Sequence, residues 1–145
     1  MADYPILNLN QQNFEPFGTI LEHNFPNPTG RDFAVVAQAN SVGWKTGILE
    51  IVRDNFPFLE RHLDSKETHE PLSGTSIIIV ENPETADDYS VFLLDKPVCV
   101  NEAVWHQVIA ISDKSVIKVV ENIDVSADNS EIREFPAGVK LKVAL

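Results

Sequence analysis

Two stretches of the chain carry side chains able to do chemistry at a shared point. The first, Phe58 to Gly74, packs His62 and His69 with Glu60, Glu67 and Glu70 between apolar runs. The second, Val104-Trp105-His106-Gln107-Val108, brings a further imidazole from far along the sequence. In an extended strand successive side chains point to opposite faces, so Glu60 and His62 share one face while Leu59, Arg61 and Leu63 share the other. After a short turn, Glu67 and His69 again fall on one face. A hairpin that brings those faces together sets Glu60, His62, Glu67 and His69 round a common point. Imidazoles and carboxylates projecting from rigid strands are the composition of a mononuclear metal site. Two of each suit Zn, Mn, Fe or Ni, so the expected cofactor is a divalent metal ion of open identity.

The elements that must position these groups read as strands. Ile6-Leu7-Asn8-Leu9, Thr19 to Glu22, Phe33 to Ala37, Gly47 to Arg53, Ser76 to Val80, Tyr89 to Leu94, Val98 to Val100, Val104 to Ile111 and Ser115 to Val120 are apolar or β-branched runs bounded by turn residues. Several are apolar on both faces, as in a closed or double-layered β architecture. One short helix is predicted near Asn10 to Gly18, capped by Asn10, with Phe14 and Phe17 three apart on one face to plug an end of the core. Asn24 to Gly30 reads as a loop, Ser126 to Ser130 as a softening tail, and Lys140 to Leu145 as an edge strand guarded by lysines.

Composition narrows the partners. The chain has 145 residues, enough for one domain spanning 1–145 with a substantial core. Its 22 acidic residues against 11 basic ones give a net charge of -11, which repels nucleic acid and anionic membranes. The single cysteine, Cys99, leaves no intramolecular disulfide and reads as a small buried hydrophobe in a reducing compartment. With no leader pattern and no run as long as a membrane span, the expected protein is soluble and cytoplasmic.

The spacing of the central stretch resembles the first motif of the cupin family. That motif runs His-x-His, four residues, Glu, six residues, Gly; here Glu60-x-His62, Glu67 and Gly74 keep the spacing with Glu in the first ligand position. The second motif, Pro-x-Gly-x-x-His, is represented by Asn101-x-Ala103-x-x-His106. The resemblance implies an all-β, cupin-like double-stranded β-helix, a jelly-roll barrel with a short N-terminal helix. It further implies that Glu60, His62, Glu67 and His106 are the metal positions, and that the chain works as a homodimer.

Within the cupins, three stretches resemble ureidoglycolate lyase: Gln12 to Glu22, Leu59-Glu60-Arg61-His62, and Val100 to His106. This implies metal-assisted cleavage of a small carboxylic acid substrate, ureidoglycolate, into glyoxylate and urea, a carbon-nitrogen lyase step in allantoin and purine degradation. The metal would take the substrate carboxylate and hydroxyl, and His69 or an unligated Glu67 would serve as the catalytic base. Glu67 also reads as a surface carboxylate after the Asp64-Ser65-Lys66 turn, His69 as a rim residue, Arg61 as an interface salt bridge and Trp105 as core. The competing expectation is a non-catalytic cupin that binds a metal or small metabolite as a sensor or stabilising module.

Overall fold

The structure is a computed structural model that describes residues 3–23, 33–53, 58–134 and 140–142. The loop predicted at Asn24 to Gly30 and the last residues of the predicted edge strand, Val143 to Leu145, lie outside the described residues. The strands are β1 (Asp3–Leu7), β2 (Gly18–Ile20), β3 (Trp44–Val52), β4 (Leu59–His62), β5 (Glu67–Ser73), β6 (Ser76–Glu81), β7 (Tyr89–Leu93), β8 (Val98–Val100), β9 (His106–Ala110), β10 (Lys114–Asn122), β11 (Ser130–Arg133) and β12 (Lys140–Lys142). One short helix, α1 (Gln11–Phe14), follows β1. The strands form a seven-stranded sheet ordered β11-β4-β9-β6-β7-β1-β12 and a five-stranded sheet ordered β2-β8-β5-β10-β3. Strand β1 runs parallel to β7 and β12, and the other pairings are antiparallel. The two sheets pack face to face as the jelly-roll barrel of the cupin fold.

Alternation explains how so apolar a sequence fills two layers. In β6 every residue is buried. Its Ile78 and Val80 join Phe92, Val98, Val100, Val108 and Ile117 in the core between the sheets, while Ile77 and Ile79 join Leu59, Tyr89, Val91 and Ile109 in a cluster on the opposite face. Asn10 caps α1 by accepting from the Asn13 N–H, and Asn13 returns the bond through its own side chain, so two free donors of the first turn are satisfied. The cap aims Phe14 and Phe17 into the core, where their rings lie 5.3 and 5.9 Å from Phe92.

Three sequence expectations are corrected. First, β4 and β5 are not a hairpin: β4 belongs to the seven-stranded sheet and β5 to the five-stranded one. The Leu63 to Lys66 connection carries the chain across, so Glu60 and His62 meet Glu67 across the barrel interior instead of along a ladder. Second, Phe33 to Ala37 is not a strand; Phe33 and Val35 are exposed, and among the described residues no neighbouring strand takes up the backbone donors and acceptors that a strand must pair. Third, the supposed soft tail holds a 3-10 turn, Ala127–Asn129, capped by Ser126 and leading straight into β11 against β4.

Two backbone positions hold the motifs in place. Gly74 sits at φ 73, and a Cβ there would stand 2.3 Å from the Lys114 carbonyl oxygen, so the glycine that closes the first motif is obligatory. Ala103 takes the place of the second motif's glycine and keeps a left-handed backbone at φ 64, with its N–H donating to the His62 carbonyl at 2.8 Å. A left-handed conformation costs a residue with a Cβ roughly 1–2 kcal/mol, against a smaller unfolded-chain advantage over glycine. Ala103→Gly is therefore expected to raise stability by about 1 kcal/mol, or about 3 °C in Tm, and Ala103→Val to lower it, as read by thermal unfolding.

Candidate functional site

Strand pairing brings the site together. Glu60 pairs with His106 and His106 with Val80 across the seven-stranded sheet, while Glu67 pairs with Val100 on one side and Glu121 on the other across the five-stranded sheet. Paired residues share a face, and these face each other across the barrel. One oxygen or imidazole nitrogen from each of Glu60, His62, Glu67 and His106 lies within 4.8 Å of the others. His62, Glu67, His69 and His106 are all buried, whereas Glu60 is part-exposed towards the opening. Glu121, 18% exposed, completes the ring from β10, with Oε2 at 3.8 Å from His62 Nε2 and Oε1 at 3.7 Å from Lys45 Nζ.

Hydrogen bonds on the outer side of the rings fix which nitrogen faces the centre. Ser130 Oγ donates its one proton to the Ser126 carbonyl at 2.6 Å, so at 2.9 Å from His62 Nδ1 it must accept, and Nδ1 carries the hydrogen. The Val104 carbonyl, 2.9 Å from His106 Nδ1, can also only accept. Both neutral imidazoles therefore turn an Nε2 lone pair inward. Those lone pairs meet a carboxylate: Glu67 Oε2 is 2.6 Å from His62 Nε2 and 3.4 Å from His106 Nε2. Neither Glu67 Oε2 nor His106 Nε2 makes a directed hydrogen bond, although both are buried. A cation must stand between such groups, either protons on the rings or a metal ion.

Protons alone give the following electrostatics. Burial works against the His106 imidazolium, but the Glu67 carboxylate outweighs it and the pKa rises to about 9. His62 follows the same logic, with burial opposed by Glu67 and the net shift upward. For Glu67 burial favours the neutral acid, yet the imidazoles of His106 and His69 hold it well below the usual carboxylate range. Burial and then the charge of Glu67 push Glu121 up.

The remaining site residues predicted from sequence also have definite places. Glu67 is not a surface carboxylate: Oε2 faces His62 and His106, and Oε1 lies 3.1 Å from His69 Nε2. His69 is 2% exposed, pairs with Val98 and Val119, and stacks edge-on to His106 at 5.2 Å, on the core side of Glu67 and away from the rim. Arg61 points to the outer face and binds Glu131 at 2.7 Å, its guanidinium over the Trp105 ring. Sequence reasoning missed Glu121, Lys45 and Ser130. The signal for Glu121 was present in the alternation Ile117, Val119, Glu121 along one face of β10. Ser130 carried none, because its role follows from the pairing of β11 with β4.

No protein-family model matches this sequence, and no curated protein matches it. Solved structures do. A dTDP-sugar isomerase from Desulfovibrio desulfuricans G20 superposes with TM-score 0.58 at 12% identity, over 83% of this chain and 82% of that one. A dTDP-4-dehydrorhamnose 3,5-epimerase from Elizabethkingia anophelis gives 0.56 at 10% identity, over 70% and 62%. A dTDP-6-deoxy-D-glucose 3,5-epimerase from Legionella pneumophila, solved with dTDP-4-keto-L-rhamnose, gives 0.52 at 8% identity, over 69% and 63%. This chain thus spans somewhat under two thirds of either epimerase. At such identities the likeness establishes the cupin fold. The functional expectation is corrected by the same comparison: these structures are dTDP-sugar isomerases and epimerases, not carbon-nitrogen lyases. The carbon-nitrogen lyase reading, with its place in allantoin and purine degradation, is withdrawn. Its motifs describe the barrel and the convergent positions, which a fold shares across unrelated chemistries.

Two outcomes follow from the geometry. In chelator-treated protein, the pairing of His106 with Glu67 contributes stability that is fully present below pH 6.5, the ordinary histidine value, and is lost as pH rises through about 9. The depressed Glu67 contributes stability present above its ordinary value of 4.5 and lost as acid protonates it. Thermal unfolding against pH should therefore show Tm highest between these limits and falling on the alkaline side. Were a divalent ion to occupy this centre, Ser130→Ala should weaken its binding by about 10–100-fold with little change in fold, and Ser130→Thr should restore it, as read by metal titration. Unchanged affinity in Ser130→Ala would remove the hydroxyl from the site.

Proposed function

We propose that the barrel interior is the active site of an isomerase-type enzyme, which moves a proton on a carbon beside a carbonyl of a small, oxygen-rich substrate such as a keto sugar carried on a nucleotide. Glu60, His62, Glu67 and His106 would hold a divalent ion. The observation that carries this reading is the convergence of two imidazole lone pairs, each locked inward by its Nδ1 bond, on one buried carboxylate. The epimerases and isomerases that share the fold support the reaction class.

Bound there, the ion would supply Lewis acidity to a carbonyl oxygen and so acidify the neighbouring C–H. The chain supplies the rest. Glu121 stands at the open side, and its raised pKa brings it nearer to neutrality, where a carboxylate base is most effective. It takes the C–H proton, and a water molecule entering from the mouth returns a proton to the same carbon from the other face. The resulting hydroxide is neutralised by the proton that Glu121 releases to solvent, so the centre is inverted with no redox change and no leaving group. Lys45, 3.7 Å from Glu121, holds that carboxylate at the mouth. His69, lying beneath Glu67, orients the carboxylate through Oε1 and leaves Oε2 for the centre. The buried aliphatic wall of Val80, Val100, Val104 and Val108 keeps water from the inner side.

Incubation in D2O with a dTDP-4-keto-6-deoxy sugar tests the proposal. Deuterium is expected to enter beside the keto group, detected by mass spectrometry. Glu121→Gln should slow that exchange by about 10²–10⁴-fold at unchanged metal content. His62→Ala and His106→Ala should lose the ion as well as the exchange, because each removes a ligand and the geometry it enforces. A protein that holds about one ion per chain yet exchanges no keto sugar would sink the reaction class. A protein whose metal content ignores both histidine substitutions would sink the ligand assignment.

A further inference from the structure

We propose a second small-molecule site on the outer face of the five-stranded sheet, built for a flat aromatic anion. Register creates the depression. Thr46 pairs with Val120, Val120 with Thr68, and Thr68 with Cys99, so four small side chains from β3, β10, β5 and β8 lie in one row on the face opposite Glu67 and His69. Larger groups rise round them: Trp44, paired with Asn122, on one flank and Lys118 on the other. Over this floor runs the segment Ala37 to Gly43. Lys66 Nζ holds it by donating to the Gln38 carbonyl at 2.9 Å, and the Gly43 carbonyl accepts from Ile123 N at 3.1 Å. The resulting open depression has a volume of about 500 Å³, within the range of pockets that hold small ligands.

The lining sets the ligand's chemistry. The Trp44 indole is 70% exposed, offering a face on which a planar ring can stack. Lys66 has ammonium hydrogens beyond the one given to Gln38, and among the described residues Lys118 is held by a surface pair with Glu70 at 3.6 Å, which is worth little. Two ammonium groups in one pocket of a chain with net charge -11 select an anion. Among the described residues of the lining Glu121 is the acidic one, and its carboxylate turns to the other side of the sheet towards His62. Thr68 lies between Glu67 and His69 in sequence, and Val120 beside Glu121, so an occupant would bear on the backs of the strands that carry the inner site.

The probe is 8-anilinonaphthalene-1-sulfonate, a flat aromatic anion, with N-phenyl-1-naphthylamine as its uncharged counterpart. Titrated against the full chain, the sulfonate should bind one per chain with energy transfer from Trp44, and the neutral amine should bind at least about tenfold more weakly. Lys66→Gln with Lys118→Gln should raise the sulfonate Kd about tenfold while leaving the amine's affinity and the melting curve in place. Trp44→Ala should weaken both probes and abolish the transfer. Chelator should change none of these values, which separates this site from the barrel interior. Absence of saturable binding, or a sulfonate affinity indifferent to the two lysines, would overturn the proposal. So would sedimentation showing that two copies close over this face and exclude the probe.

Discussion

A carboxylate buried among imidazoles is the constraint that the rest of the barrel has to satisfy. Glu67 lies on the inner face of β5 with His62, His69 and His106 around it, and moving an ionised carboxylate out of water costs several kcal/mol unless it is paired. Its partners come from β5 itself and, across the barrel, from β4 and β9 of the seven-stranded sheet. The two layers are thus joined at this point by charge as well as by the apolar core behind it. A slip of one residue in β5 would turn Glu67 and His69 outward and put Thr68 in their place, so the polar cluster makes a wrong register expensive.

The arrangement at the barrel mouth follows from the same alternation. Moving along β10, Ile117 lies in the core, Val119 packs against it, and Glu121 reaches the opening. On β3 the inward positions pass from Ile51 to Lys45. The interior therefore grades from dry aliphatic wall through imidazole to carboxylate and ammonium. A substrate entering from the mouth would shed water first at its reacting end. On the reverse side, the residues between these inward positions form a surface with a different charge.

Much of this was legible in the sequence. The spacing from Glu60 to Gly74 and the distant His106 located four convergent side chains, because motif spacing encodes which residues share a face and where the chain must turn. The Phe14 and Phe17 plug and the Asn10 cap were legible too, being local. What escaped reading depends on pairing between distant segments. Ser130 matters only because β11 lies beside β4, and Glu121 only because β10 lies beside β5. The apolar stretch from Phe33 to Ala37 misled because β-branched content describes a residue's fitness for a strand, while a strand also needs a neighbour. The lyase reading failed for a different reason: the stretches that carried it build the barrel and its centre, which a fold shares across unrelated chemistries.

The hydrogen bonds outside the two rings decide how the centre can be filled. An imidazole free to turn could present N–H to Glu67 and settle into a neutral hydrogen bond, leaving an inert polar core. Ser130 and the Val104 carbonyl close that escape, since each occupies the Nδ1 hydrogen. What remains are two lone pairs and a carboxylate oxygen that attract a proton or an ion into the same small space. Protons satisfy them at the cost of mutual repulsion between neighbouring imidazoliums, with ring centroids 5.9 Å apart. One divalent ion would satisfy all of them with a single charge centre and no such repulsion. Its gain grows with pH as proton competition falls. The orientation of two rings, fixed from behind by a serine and a carbonyl, thereby decides that the centre presents lone pairs to its occupant, and this is the feature on which the proposed metal ion rests.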